Sequence, residues 1–283
     1  MPGIIWLASY PKSGNTWLRA FLANYFLNPS EPLPVNDLYK FCYGDGFLFL
    51  YEEAAGKPKE ELTEDELRQL RPQMHRFIAD AGPADKFVKT HNYIGEEGGI
   101  PLITPEVTAG AVYVVRNPLD VAISVAHHYQ VDFDRAIEIL NTPHRVLYGD
   151  PDLQLPDIVG TWTQHVRSWT EAPGLNPHVI RYEDMQAKPG PTFRALAKFL
   201  GVPVEPKRLR RAVRFASFDS LAGQEQTLGF NEARPDGAVR FFRRGQSGQW
   251  REYLTQDQTD RVIATHSDTM RRFGYLDKKH NPS

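Results

Sequence analysis

Residues 4 to 26 read IIWLASYPKSGNTWLRAFLANYF, and this stretch sets the frame for the rest of the chain. A short continuous apolar run, Ile4 to Ala8, passes through Tyr10-Pro11-Lys12-Ser13-Gly14-Asn15-Thr16-Trp17 into an apolar pattern of helical period, Thr16 to Leu27. A strand, a tight loop and a helix N-terminus make a ready anion site. The first helical N–H groups lack partners, and the helix dipole places partial positive charge there. Gly14 permits close backbone approach, while Lys12, Ser13 and Thr16 add a charge and two hydroxyls. The order differs from the triphosphate loop GxxxxGK[ST], where lysine follows the second glycine; here Lys12 precedes the only glycine. Taken alone, Lys12 and Trp17 also fit ordinary loop and packing roles.

Three further short apolar runs, Lys86 to Lys89, Ala111 to Val115 and His178 to Arg181, are bounded by Gly, Pro or polar residues, as strands buried on both faces are. Helical patterns alternate with them: Leu119 to Tyr129, Ile158 to Thr170 and Pro191 to Leu200. A helix over Glu64 to Ala79 opens on a Thr63/Glu66 capping box, and another over Gln256 to Phe273 ends at Gly274. The alternation predicts an α/β fold, a three-layer sandwich with a central parallel sheet and a P-loop-like loop after its first strand. With no internal repeat or linker, residues 1–283 read as one domain. Segments 28–61, 142–157 and 222–249, rich in Pro, Gly and aromatics, fall outside the regular frame.

Of the 283 residues 41% are hydrophobic, enough for a sizeable core, and the formal charge of -2 argues against nucleic acid as a partner. Cys42 is the only cysteine, which excludes an intrachain disulfide and a multi-cysteine zinc site. No run approaches the roughly 20 apolar residues that span a bilayer, and no basic leader precedes the first apolar run. A cytoplasmic protein without a membrane span is therefore expected. No strand ends in a Walker-B-type Asp and no carboxylate cluster suits Mg²⁺, so the expectation is phosphate-group chemistry without a metal.

At this point the chain resembles the cytosolic-type sulfotransferases that use 3′-phosphoadenosine 5′-phosphosulfate (PAPS) and release 3′-phosphoadenosine 5′-phosphate (PAP). YPKSGNTW is similar to that family's 5′-phosphosulfate loop YPKSGTTW, with Asn15 in place of the first threonine. YVVRNPLDVAISVAHHY, residues 113 to 129, resembles its 3′-phosphate segment, which assigns Arg116 and Ser124 to that phosphate. FFRRGQSGQWREYLT, residues 241 to 255, is similar to its C-terminal RKGxxGDWK loop and adds Arg243, Arg244 and Gly245; Gln249 and Arg251 depart from the pattern. IRYEDM places Tyr182 near the adenine, and FASFDSL places Ser217 and Phe218 at the base, with Trp17 on the purine's other face. The resemblance thus implies cofactor contacts from Lys12, Ser13, Gly14, Asn15, Thr16 and Trp17, and runs in family order over residues 4 to 255.

FVKTHNY resembles the family's KTH segment, which implies that His91 removes the acceptor proton. An unperturbed histidine pKa of about 6.5 leaves such a base largely neutral near pH 7. Lys12 would serve the bridging oxygen of the leaving phosphate and Lys89 the sulfuryl oxygens, and Ser124 would restrain Lys12 until acceptor binds. His127 and His128 are adjacent on one helix and point about 100° apart, a poor shared metal site. Two alternatives stay open: a P-loop small-molecule kinase needing ATP and Mg²⁺, and a non-catalytic nucleotide-binding protein of the same fold.

The acceptor implied is a hydroxyl of a small molecule or natural product. GTWTQHVRSWTE with ASYPKSGNTW looks most similar to bacterial members, including those that modify glycopeptide antibiotics. Phe41, Tyr43, Phe47, Phe49 and Tyr51 either wall a lipophilic pocket or pack their loop onto the core. The family's homodimer signature KxxxTVxxxE falls on Arg251 to Asp260, where this chain has Arg251, Thr255, Gln256 and Asp260 and so loses the central valine, and a homodimer stays open.

Overall fold

β1, Ile4–Ser9, is buried along nearly its whole length, as its unbroken apolar character requires. It lies in the middle of a five-stranded sheet of order β2-β3-β1-β4-β5, where β2 is Tyr43–Gly44, β3 Lys86–Thr90, β4 Thr108–Val115 and β5 His178–Arg181. The computed structural model describes residues 2–147, 150–232 and 240–282. β1 and β3 run parallel, Ile4 opposite Lys86 through Ala8 opposite Thr90, and β2 adds a parallel edge with Gly44 opposite Lys89. The sheet is parallel and flanked by helices, as the alternation predicts. Four strands fall within three residues of their predicted ends; β2 is too short to leave a pattern.

The chain gathers into two compact units, each made of three stretches. The first comprises Met1–Tyr10, Cys42–Tyr113 and Thr142–Val179. In it the helices Glu64–Asp80 and Trp162–Thr170 pack on β1, burying Trp6, Met74, Ile78, Trp162 and Trp169. The predicted Thr63/Glu66 capping box closes in both directions. The helix expected over Ile158 to Thr170 begins only at Trp162. Gly160 sits at φ +63°, outside helical space, and Thr161 caps the helix with Gln164, while Asp157–Ile158 pairs antiparallel with Val146–Leu147.

The second unit comprises Pro11–Phe41, Val114–Asn141 and Ile180–Ser283. Here the helix Asn15–Leu27 stacks Phe21 on Phe193 of the helix Pro189–Phe199, ring centroids 4.0 Å apart. Its last carbonyls, Tyr25 and Phe26, accept from Arg208 at 2.6 and 3.0 Å.

The irregular segments hold more order than predicted. The helix Leu48–Ala55 lies within 28–61, and Phe218–Leu228 runs into 222–249, of which residues 233–239 lie outside the described residues, as do 148–149 of 142–157. Among the described residues no helix is long and apolar enough to cross a membrane.

Candidate active site

The loop after β1 takes the shape its composition foretold. Lys12 lies at φ +65° and Gly14 at φ +104°, two left-handed residues that turn the chain from strand into helix. A side chain at Gly14 would bring its Cβ to 2.7 Å from the Tyr182 ring, so glycine is needed for space as well as conformation. The helix starting at Asn15 has no side-chain cap and no acidic residue in its first turn, which leaves its N-terminal field uncompensated. Asn15 and Thr16 are buried, and both accept from Arg19 one turn on, at 3.1 and 3.2 Å; Arg19 itself pairs with Glu232 at 2.7 Å.

Two cations meet at this loop. Arg116, buried just beyond β4, donates through Nη1 to the main-chain oxygen of Lys12 at 3.0 Å and through Nη2 to that of Gln246 at 3.1 Å. Its guanidinium lies 4.2 Å from the centre of the Tyr182 ring. Burial, with the Arg116 charge beside it, lowers the Lys12 ammonium from the usual 10.5 to about 7. Lys12 Nζ stands 3.3 Å from His128 Nδ1 and 3.8 Å from the Phe241 ring centre. Its neighbour on the helix Pro118–Tyr129 is thus His128, one turn beyond the expected Ser124, which is half-buried on the same helix. The rings of His127 and His128 part as their spacing requires: His127 faces Phe133 and Tyr253, His128 faces Phe241.

The 241–250 segment is tied down by acids and amides. Asp120, buried on the same helix, accepts from the N–H of Gly248 at 2.6 Å and of Trp250 at 3.2 Å. Glu225 accepts from the N–H groups of Phe241 and Phe242, and Gln186 bonds both Gly245 and Ser247. Gly245, at φ +61°, rests against the Phe218 ring, where a Cβ would come within 2.2 Å. Ser217 caps the helix Phe218–Leu228. Arg243 donates to Gln249 at 2.6 Å, whereas the exposed Arg244 pairs with Glu252 at 3.1 Å. Trp17 meets Tyr182 edge to face at 5.7 Å; Tyr182 opens the helix Tyr182–Ala187 rather than closing β5. The side-chain atoms Ser13 Oγ, Trp17 Nε1 and Arg116 Nε are buried without a protein partner. Three unmatched donors beside two cations and an uncapped helix N-terminus fit an anionic phosphate ligand.

In the first unit, β3 ends at the KTHN stretch, held at nearly every polar group. Asp45 accepts from Thr90 Oγ1 at 2.7 Å and Asn92 Nδ2 at 2.9 Å. Asn92 accepts in turn from the Ile158 N–H and, through its main-chain oxygen, from Trp169 Nε1. His91 Nδ1 lies 2.7 Å from the Ser9 carbonyl oxygen, and the His91 N–H faces Asp157 at 3.4 Å. Burial raises the Asp157 carboxyl above its usual range, opposed by the charge of Lys89. Of the five loop aromatics, Tyr51 is core, with its hydroxyl on the Asp45 carbonyl. Tyr43 and Phe47 flank Phe49 at 5.8 and 5.9 Å, and Phe49 is 44% exposed; Phe41 packs on Phe26 in the second unit.

The structure therefore joins Lys12, Gly14, Trp17, Arg116 and Tyr182 by direct contact, and Phe218 with Gly245. Sequence reasoning missed His128 as the Lys12 neighbour, together with Asp120, Glu225, Gln186, Asp45 and Asp157. Only Asp120 had a local signal, its place in the RNPLD turn.

The sequence model of the sulfotransferase domain matches residues 2–274. Sulfotransferase 1A1 of Canis lupus familiaris is 25% identical, over 96% of this chain and 85% of its own, and flavonol 3-sulfotransferase of Flaveria bidentis is 23% identical over 92% and 80%. Retinol dehydratase in complex with androsterone and the inactive cofactor PAP superposes with a TM-score of 0.62 at 20% identity, covering 95% of this chain and 80% of that one. A mouse sulfotransferase complexed with PAP gives 0.59 at 21%, covering 95% and 84%.

Proposed function

The chain belongs to the sulfotransferase family and is a sulfotransferase, and we propose that it carries the sulfuryl group from PAPS to a hydroxyl of a small-molecule acceptor, with His91 as base and no metal. One observation carries the reading: Lys12 and Arg116 sit together at an uncapped helix N-terminus with three unmatched buried donors. That arrangement suits a nucleotide with phosphate groups at both ends, and several solved relatives hold PAP.

PAPS supplies the sulfuryl group when bound. In this reading the loop amides, Ser13 and Lys12 hold the phosphosulfate, Arg116 and Ser124 hold the 3′-phosphate with help from Arg243, Arg244 and Gly245, and Trp17, Tyr182, Ser217 and Phe218 hold the base. His91 takes the hydroxyl proton as the acceptor oxygen forms its bond to sulfur. As the bond from sulfur to the phosphate oxygen breaks, Lys12 stabilises the charge growing on that oxygen and Lys89 that on the sulfuryl oxygens. With Nδ1 donating to a carbonyl, a neutral His91 carries its lone pair on Nε2, the polarity a base requires.

The test incubates the protein with sulfate-labelled PAPS and a panel of phenols, aliphatic alcohols and sugars, with chelator present. Label transferred to an acceptor supports the reading. Transfer only from ATP with Mg²⁺ would establish the kinase alternative, and binding of PAP without transfer to any acceptor a non-catalytic protein.

A further inference from the structure

We propose that His165 is a positioning residue for His91: it relays a directed chain of hydrogen bonds from Tyr113 to the His91 carbonyl, and so holds the His91 imidazole against the Ser9 carbonyl that sets its tautomer. The proposal rests on the base role given to His91 above.

The chain can be traced donor by donor. A carbonyl only accepts, so His91 Nδ1, 2.7 Å from the Ser9 oxygen, carries its hydrogen. The His91 carbonyl accepts in turn from His165 Nε2 at 3.0 Å, which makes His165 Nδ1 the acceptor nitrogen. That nitrogen lies 2.8 Å from the Tyr113 hydroxyl, which therefore donates. The bonds thus run from the Tyr113 hydroxyl through His165 to the main chain of His91, whose own imidazole ends on the Ser9 carbonyl.

Each of these bonds has one permitted direction. Reversal would need a charged His165 or an ionised Tyr113, and burial opposes both: it lowers His165 to about 3 and holds the Tyr113 hydroxyl well above its ordinary range. The hydrogen-bond chain therefore keeps its polarity across the whole range in which a histidine base titrates. The imidazole of His165 is held sideways as well, edge-on to Tyr10 at 5.6 Å and tilted against Tyr113 at 5.7 Å.

Filling core volume does not account for this residue. His165 is fully buried, where an aromatic hydrocarbon would pack without polar cost. Its two nitrogens instead match two partners of opposite polarity, one of them the main chain of His91. The neighbouring turn has its own ties, Asp45 to Thr90 and Asn92, and Trp169 to Asn92. Removing the imidazole should thus release the His91 carbonyl without unfolding the strand end.

The experiment compares the full-length protein with His165→Phe, His165→Gln and Tyr113→Phe. Imidazole ¹⁵N shifts of His91, recorded without acceptor above its pKa, read the tautomer directly. Turnover and KM with an acceptor found in the labelled-PAPS screen read the consequence, and calorimetric PAP binding serves as control. The wild type should show the Nδ1–H tautomer alone. His165→Phe should show both tautomers and lose on the order of 10–100-fold in kcat, with acceptor KM and PAP affinity unchanged. His165→Gln, which can still donate to the His91 carbonyl, should restore most of both readouts. Tyr113→Phe removes one hydroxyl from an otherwise unchanged ring and should also mix the tautomers, which covers the case of a poorly folding His165→Phe. A single unchanged tautomer in His165→Phe, or in Tyr113→Phe where the former does not fold, would overturn the proposal. Full turnover in His91→Ala would instead remove the base role, so the two failures are told apart.

Discussion

Arg116 grips Lys12 by its main-chain oxygen, at 3.0 Å, while its own charge opposes the charge on the Lys12 side chain. The strand-end arginine thus fixes the loop and makes its lysine easier to deprotonate. Without a ligand the pair is two like charges in one partly buried place. A polyanion entering between the helix N-terminus and these cations would relieve both the repulsion and the lost hydration.

The first prediction is a pH dependence of PAP binding. Lys12 titrates at about 7 in the ligand-free protein and should return towards its ordinary 10.5 beside phosphate. Below pH 7 the lysine is already charged and contributes no slope. Above it, binding must take up a proton, so Kd should weaken by up to about tenfold per pH unit towards pH 9. The phosphates themselves are fully ionised there, with a second pKa near 6. Calorimetry in buffers of different ionisation enthalpy reads the proton uptake, and Lys12→Met should abolish it. A flat Kd from pH 7 to 9 would contradict the depressed lysine.

Lys12→Ala should lower kcat far more than it raises the KM for PAPS, because the ammonium is assigned to charge that grows on the bridging oxygen during transfer. PAP, which carries that charge in full, should bind the variant more weakly as well. Steady-state kinetics with PAPS decide it, and a loss confined to KM would make Lys12 a binding residue alone.

Arg116→Ala should raise the apparent KM for PAPS and reduce discrimination against adenosine 5′-phosphosulfate, which lacks the 3′-phosphate. Loss of one charge-assisted pair to phosphate is worth about 1.5–3 kcal/mol. Because Arg116 also bonds the Lys12 and Gln246 carbonyls, Arg116→Lys is the sharper variant: it keeps a charge and loses the fork. Unchanged selectivity in both variants would place the 3′-phosphate elsewhere.

Much of this site was legible because its chemistry is local. Ile4 to Trp17 encodes strand, turn and helix start in consecutive residues, and the left-handed Gly14 is the glycine the loop pattern singled out. What stayed hidden depends on partners far apart in sequence. Asp157 meets the His91 N–H across 66 residues, and Arg116 meets Gln246 across 130. β2 has two residues, below any periodicity. Ile158 and Val159 read as a helical apolar start, yet the positive φ of Gly160 postpones the helix to Trp162. His128 went unread as the Lys12 neighbour because a helical face shows which residues align, not which of them the facing loop reaches.

Asp120→Ala should loosen the 241–250 segment, since one buried carboxylate accepts from both the Gly248 and Trp250 N–H groups. Leaving the buried Trp250 N–H unmatched costs about 1–3 kcal/mol, and the half-buried Gly248 N–H loses its partner as well. Faster proteolysis within this segment, reversed by PAP, is the expected result. Asp120→Asn should fall between, as it keeps an acceptor without the charge. An unchanged cleavage rate in Asp120→Ala would show that Glu225 and Gln186 hold the segment by themselves.

His91→Ala separates base catalysis from binding by the acidity of the acceptor. An aliphatic alcohol keeps its proton near neutral pH, so its attack on sulfur needs a base as the new bond forms. General-base catalysis contributes roughly 10²–10⁴-fold, and the variant should lose that much with an alcohol while binding PAP normally. A phenol carrying electron-withdrawing groups already supplies its own phenolate and should lose far less. In the wild type, protonation of His91 should lower turnover on the acid side, provided that transfer rather than product release limits the rate. The ring nitrogen at issue is Nε2, since Nδ1 is committed to the Ser9 carbonyl. Equal losses with alcohol and acidic phenol would assign His91 to positioning the acceptor, and near-wild-type transfer to alcohols would move the search for the base to His128, beside Lys12, or to His127.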